Sequence, residues 1–281
     1  MKDVQRAGAI LAPFPHIGAF ESTKLPGSGN DILGTTRHVE RWRSDLQLLR
    51  SSCLTTLRYS VPWHRIECVP GIFDFSWFDL PMAYMLRYGM EPILDPLHHI
   101  SFPDWLQDGF ANPHFPALYE RFVTTVAKRY PWVQRYTVFN EPLPTTLFCS
   151  FTGGWYPYQA SDECFVRMAV NVGRAICQVT KALRQLRPDL QFVHVDTCEA
   201  HRALDTKSRR WVEFASARRF LMHDLALGLI DRSHALYGYL RKHGFTHAVV
   251  LGPCSAPRRT GARLLYPFGN RVVLGRGAAA L

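Results

Sequence analysis

The stretch Tyr136-Thr137-Val138-Phe139-Asn140-Glu141-Pro142 decides how this chain is read. Its first four residues, 136–139, have the β-branched and aromatic character of a short strand. An amide, a carboxyl and a proline follow at the strand's end. Upstream, residues 116–129 read as a helix, with Pro116 in the first turn and basic residues in the last. Downstream, 162–187 read as a long helix, opened by Ser161 as a cap and stopped before Pro188.

The same alternation extends in both directions. Residues 9–14 read as a first strand. Residues 37–51 follow as a helix, because Val39, Trp42, Leu46 and Leu49 recur at spacings of three and four. A strand at 55–61 leads to a helix at 78–88, which Gly89 ends. The third strand is 91–97 and the fifth is 191–197. Residues 208–229 and 233–242 have helical patterns. Strand then helix, about five times over, predicts a parallel sheet covered by helices. No Gly-rich phosphate loop follows the first strand, where a doubly wound open sheet would carry one. The fold expected is therefore α/β, of the eight-stranded TIM-barrel type. Five units already extend to about residue 247 of 281, so the barrel is expected to be incomplete: about five βα units over 1–248 and an irregular basic tail over 249–281.

Composition excludes several function classes. Of the chain's 33 Lys/Arg and 23 Asp/Glu, eight basic and no acidic residues lie from Arg232 onward. The preceding 231 residues hold 25 basic against 23 acidic groups, so most of the net charge of +10 lies from Arg232 onward and does not argue for nucleic-acid binding. The apolar run 7–14 is too short for a leader or a span, which predicts no membrane association and a cytoplasmic protein. Seven Cys without a C-x-x-C pair predict reduced, mostly buried thiols rather than a disulfide framework or a zinc site. Asp95 with His98 and His99 could be drawn as a ligand set. Adjacent residues on a strand point to opposite faces, which argues against it.

In a barrel the chemistry lies where strands run into helices. Glu141 stands there. Glycoside cleavage needs a carboxylic acid to protonate the leaving oxygen and a second carboxyl to attack or to activate water. His98 and His99 stand at the end of the third strand. Arg58 lies inside the second strand, where a buried guanidinium needs a carboxylate partner. Glu141, or a nucleophile elsewhere, is the expected partner, with a structural Asp or Glu as the alternative.

These pieces together resemble glycoside hydrolase family 1, the β-glucosidase and β-galactosidase type. Leu57-Arg58-Tyr59-Ser60-Val61-Pro62-Trp63-His64-Arg65-Ile66 resembles the family's RFSxxWxRI strand. Pro70-Gly71-Ile72-Phe73-Asp74 resembles the turn after it, and Gly89-Met90-Glu91-Pro92-Ile93-Leu94 its GIEPxVTL segment. Leu97-His98-His99-Ile100-Ser101-Phe102-Pro103-Asp104-Trp105-Leu106 resembles LxHWDLPxWL, and Thr137 to Pro142 resembles TxNEP. The resemblance spans roughly residues 8–247. It implies a retaining β-glycosidase with a carbohydrate substrate and no cofactor. It implies Glu141 as general acid/base, Asn140 holding the sugar 2-hydroxyl, His99 in the innermost sugar subsite, and Arg58 orienting the nucleophile. Trp155 would line the aglycone side.

The departures carry equal weight. The family's sugar-binding Gln near the first strand has no counterpart in 16–22, where Glu21 takes a related place. The Trp and Asp of HWD are Ile100 and Ser101. No TENG-like segment, which carries the family's nucleophile, occurs in the chain. Glu199, after the fifth strand, is the nearest substitute and is expected to bind sugar, to order the rim or to be structural. The alternative to an enzyme is a truncated, inactive sugar-binding fragment. Its exposed barrel edges would favour self-association.

Overall fold

In a computed structural model, residues 16–25, 30–197 and 199–246 are described. Five strands form one sheet: β1 (Gly18–Phe20), β2 (Thr56–Ser60), β3 (Glu91–Asp95), β4 (Arg135–Tyr136) and β5 (Gln191–Phe192). They are ordered β1-β2-β3-β4-β5, and every neighbouring pair is parallel. Between and after them run α1 (Ile32–Thr35), α2 (His38–Ser51), α3 (Trp63–Ile66), α4 (Asp79–Arg87), α5 (Phe115–Arg129), α6 (Pro142–Ser150), α7 (Asp162–Leu186), α8 (Arg209–Arg218), α9 (Leu221–Leu227) and α10 (Tyr237–Lys242). This is the parallel strand–helix succession of an incomplete (β/α) barrel.

Four of the five expected strands are found, each shorter than the sequence pattern suggested. The strand expected at 9–14 and the tail from 249 lie outside the described residues. The first described strand is instead Gly18–Phe20. It sits close against its cover: a Cβ on Gly18 would meet Leu49 of α2 at 3.2 Å. Two further expectations need correction. Residues 208–229 are not one helix, because the chain turns at Arg219-Phe220 between α8 and α9. Of 233–242, only Tyr237–Lys242 is helical. Helix α6 was not anticipated. Pro142 and Pro144 suggest a loop, yet prolines are tolerated in a first turn, where their missing N–H groups cost nothing.

Helix α5 shows why the sheet is covered. Phe115, Tyr119, Phe122, Val123 and Val126 recur on one face and are all buried. The ring of Trp63 in α3 stacks on Phe122 at 5.0 Å between centroids, and Tyr119 hydrogen-bonds the carbonyl of Val138. That bond ties α5 to the chain just before the Asn140-Glu141 pair. Below α3, the buried Glu67 carboxylate accepts from Trp63 Nε1 at 2.7 Å and from the Gly71 amide at 2.7 Å, and pairs with Arg121 of α5. The turn at Pro70-Gly71 is held in this way, with Gly71 at φ +80°.

Helix α7 is the longest, at 25 residues. Ser161 caps it by accepting the Cys164 amide at 3.1 Å, and Asp162 and Glu163 lie in its positive first turn. Ser161→Ala is expected to lower stability by about 1 kcal/mol. A urea midpoint unchanged from wild type would show that the cap contributes nothing.

Candidate functional site

The polar residues of the site lie toward the C-terminal ends of the strands or just beyond them, and the register decides which of them meet. Arg58 and Ser60 alternate onto the same face of β2, and Ser60 lies opposite Asp95 of β3. Arg58 therefore reaches Asp95: Nη2 donates to Asp95 Oδ2 at 2.8 Å and Nε at 3.2 Å. The carboxylate partner of Arg58 is Asp95, not Glu141 as expected. A part-buried arginine takes the carboxylate within reach in the adjacent strand, and Glu141 stands one strand further away.

Asp95 has a second cation. His98 Nδ1 lies 2.6 Å from the same Oδ2, and both residues are almost wholly buried. Burial opposes charging the His98 ring. The hydrogen bonds to Asp95 and to Glu21, whose Oε2 is 3.4 Å from Nε2, outweigh it and hold the pKa at about 9. With Nδ1–H donating to Asp95, the 2.9 Å approach of Arg58 Nη2 to that nitrogen is no hydrogen bond. It is two cations held by one shared carboxylate. Arg58 Nη2 also donates to Asn140 Oδ1 at 2.5 Å. The Asn140 amide is thereby oriented, with Nδ2 directed at the two imidazoles at 3.3–3.5 Å.

His99 behaves oppositely. Burial, and then the charge on His98, push its pKa down to about 4. It adopts φ +52°, which breaks the strand alternation. The two rings therefore do not point to opposite faces, as the strand rule predicted. They meet edge-to-face at 4.7 Å. His99 Nδ1 lies 2.9 Å from Thr145 Oγ1 of α6, and its ring meets Trp155 edge-to-face at 5.0 Å.

Glu141 ends the extended chain after β4. Its amide donates to Val195 O at 3.0 Å, and its backbone turns left-handed at φ +45° to start α6. Its side chain makes no capping bond, and about a third of it is exposed. Oε2 lies 3.9 Å from His99 Nε2, beyond hydrogen-bond reach. Burial, and then the negative charge of Asp196, raise its pKa, while His98 and Arg58 pull the other way. A carboxyl so placed gives up its proton less readily than a free glutamate does.

Thus Arg58, Asn140, His99, Trp155, Glu21 and Glu141 come together at one end of the sheet. Glu199 is not drawn in. It is exposed, pairs with His201 at 3.2 Å, and its carbonyl accepts from Arg219. Sequence reading did not single out Asp196, and set aside Asp95 and His98 as an unsuitable ligand set. An Asp at the end of the strand after one carrying an Arg among apolar residues was the available signal for Asp95. Among the described residues no group of three or more His, Cys, Asp or Glu is arranged to hold a metal ion.

The two histidines give a pH signature. His98 binds its proton more tightly folded than unfolded, so its contribution is complete below pH 6.5 and is lost as pH rises through about 9. His99 stays neutral when folded, so its contribution is complete above pH 6.5 and is lost as pH falls toward 4. From this pair, stability is expected to peak near pH 6.5. Urea midpoints taken from pH 4 to 9 should fall on both sides, and a midpoint still climbing at pH 8.5 would contradict the charged state of His98.

Comparison with known proteins gives a consistent picture. The family profile described as Glycosyl hydrolase family 1 matches residues 21–228. A 6-phospho-beta-glucosidase of Clostridium longisporum is 30% identical over 128 residues, 42% of this chain and 27% of that protein. The aryl-phospho-beta-D-glucosidase BglH of Bacillus subtilis (strain 168) is 25% identical over 162 residues, 55% of this chain and 33% of that protein. In fold, the chain resembles the beta-glucosidase from Thermotoga maritima in complex with azafagomine. The TM-score is 0.65 at 18% identity, over 73% of this chain and 48% of that one. The chain thus spans about a third or less of these curated relatives and about half of that solved structure. No helix among the described residues is long and apolar enough to cross a membrane.

Proposed function

Because the chain belongs to glycosyl hydrolase family 1, we propose that it forms the acid/base side of a retaining β-glycosidase site, with Glu141 as proton donor. The observation that carries this is the setting of Glu141: at the end of β4, partly buried, beside Asn140 and His99, and with its pKa raised. In the first step Glu141 gives its proton to the glycosidic oxygen as the bond to the sugar breaks. A carboxylate nucleophile takes the sugar carbon. The deprotonated Glu141 then draws a proton from the water that releases the sugar.

The surrounding residues have matching roles. Asn140, oriented by Arg58, offers its Nδ2–H to the sugar 2-hydroxyl. Neutral His99 can donate to or accept from a second hydroxyl, which an imidazolium could only donate to. Glu21, anionic and half exposed beside His98, accepts from outer hydroxyls. Trp155 offers an apolar face to the leaving group. Arg58 supplies positive charge on the side where the nucleophile must stay ionised. We read the nucleophile as lying outside these 281 residues, since no TENG-like segment occurs in them. The same observation favours a second reading, a sugar-binding piece without turnover of its own. The names of the relatives in Clostridium longisporum and Bacillus subtilis make 6-phospho-β-glucosides a substrate class to compare with unphosphorylated ones.

The test is incubation of the chain with aryl β-glucosides and aryl 6-phospho-β-glucosides, the first-formed sugar being followed by proton NMR. Release of the β-anomer first supports retention, and release of the α-anomer first would overturn it. Absence of release, with calorimetric binding of an iminosugar that Asn140→Ala weakens tenfold or more, is the outcome of the second reading.

A further inference from the structure

The described residues contain a second carboxylate at the level of Glu141, and it is not Glu199. After β5 the chain stays in parallel register with the end of β4: Val195 bridges Asn140, and Val195 O accepts the Glu141 amide at 3.0 Å. Asp196 is therefore the residue in step with Glu141 on the neighbouring strand, while Glu199 lies three residues beyond. The Asp196 side chain is largely buried, about one-eighth exposed. Its Oδ1 accepts the Thr197 amide at 2.9 Å, which fixes the carboxylate. Its Oδ2 is 3.7 Å from His194 Nε2, too far for a hydrogen bond. Asp196 is thus held by a backbone amide, with His194 close by but not hydrogen-bonded to it.

We propose that Asp196 is a positioning residue for the acid, its fixed negative charge holding Glu141 in the proton-carrying form between catalytic cycles. Its use in turnover rests on the reading of Glu141 as proton donor. The electrostatics at Glu141 agree: after burial, Asp196 is the largest influence raising its pKa. The charged and titratable groups around Glu141 come from every neighbouring strand. Glu21 follows β1, Arg58 lies in β2, Asp95, His98 and His99 end or follow β3, and Asp196 follows β5. Arg58 and His98 are cationic, but their charge is divided with Asp95 and Glu21. For Asp196 the one basic group within 4 Å among the described residues is His194, beyond hydrogen-bond reach. Like charges in a poorly solvated site raise the cost of ionising the second group.

The experiment is a ¹³C NMR titration of the Glu141 side-chain carboxyl in the full chain, assigned by comparison with Glu141→Gln. In Asp196→Asn the midpoint is expected to fall by about 0.5–1 pH unit, and in Asp196→Glu, which keeps the charge, to stay within about 0.3 unit of wild type. Asp196→Ser provides a second neutral variant, and the result is read from whichever neutral variant melts as wild type does. An unmoved midpoint in a folded neutral variant overturns the proposal. Since the titration needs no turnover, a chain that does not hydrolyse glycosides yet shows the shift would fail the glycosidase reading alone. An unmoved midpoint in an enzyme that still requires Glu141 would fail this proposal alone.

Discussion

Glu141→Gln is expected to cut hydrolysis of a β-glycoside with a poor leaving group by roughly 10²- to 10⁴-fold, in any preparation of this protein that turns over. Glutamine keeps the size of the side chain and its hydrogen bonding but has no proton to give. The loss should shrink as the leaving group becomes more acidic, because a dinitrophenolate departs without protonation. Small anions such as azide should then restore part of the rate on activated substrates, by entering where water needs the deprotonated Glu141 and azide does not. The measurement is kcat/KM across a series of aryl leaving groups. A loss of equal size for every leaving group would place the effect in sugar binding and leave the proton donor to be sought elsewhere.

Asp95→Asn should be the most destabilising single change in the site, by about 3–5 kcal/mol. Asp95 is wholly buried and carries both Arg58 and His98 on one oxygen. Asparagine fits the same space but removes the buried negative charge that, among the described residues, touches both cations. The cost is that of leaving charge uncompensated in a poorly solvated interior, not that of losing one contact. His98 would also shed its proton more readily, because its strongest stabilising partner is gone. Denaturant unfolding gives the first quantity and the His98 ring shifts give the second. A loss below about 1 kcal/mol, with the His98 titration unchanged, would mean that water or another group carries the charge. Because Arg58 orients Asn140, iminosugar binding should weaken in the same variant even where it remains folded.

Much of the architecture was legible in the sequence because amphipathic helices announce themselves. Helices α2, α4, α5 and α7 fall within one or two residues of their expected bounds. Glu141 was legible because a carboxyl at a strand end, framed by amide and proline, has few structural reasons to be there. The pairing of Arg58 with Asp95 was not legible, since which carboxylate comes within reach of a part-buried arginine depends on sheet register. One residue of slip would have placed Asp95 on the other face. The meeting of His98 and His99 was hidden by the left-handed turn at His99, which a period of two cannot anticipate. Asp196 was overlooked for a related reason. The fifth strand was drawn to residue 197, which favoured Glu199 as the residue at its end. Regular pairing in fact stops at Phe192, and the later bridge at Val195 brings Asp196 level with Glu141.

The sheet order has a consequence for how the pocket is made. Each strand pairs with the one synthesised just before it, so the layers can assemble in the order in which the ribosome delivers them. On that route Arg58, Asp95 and Asn140 settle first. Glu141 enters its final surroundings only when residues 191–196 emerge, some fifty positions later. Until then its amide lacks its acceptor on Val195 and its carboxyl lacks Asp196, so the surroundings of Glu141 are the last part of this rim to be completed.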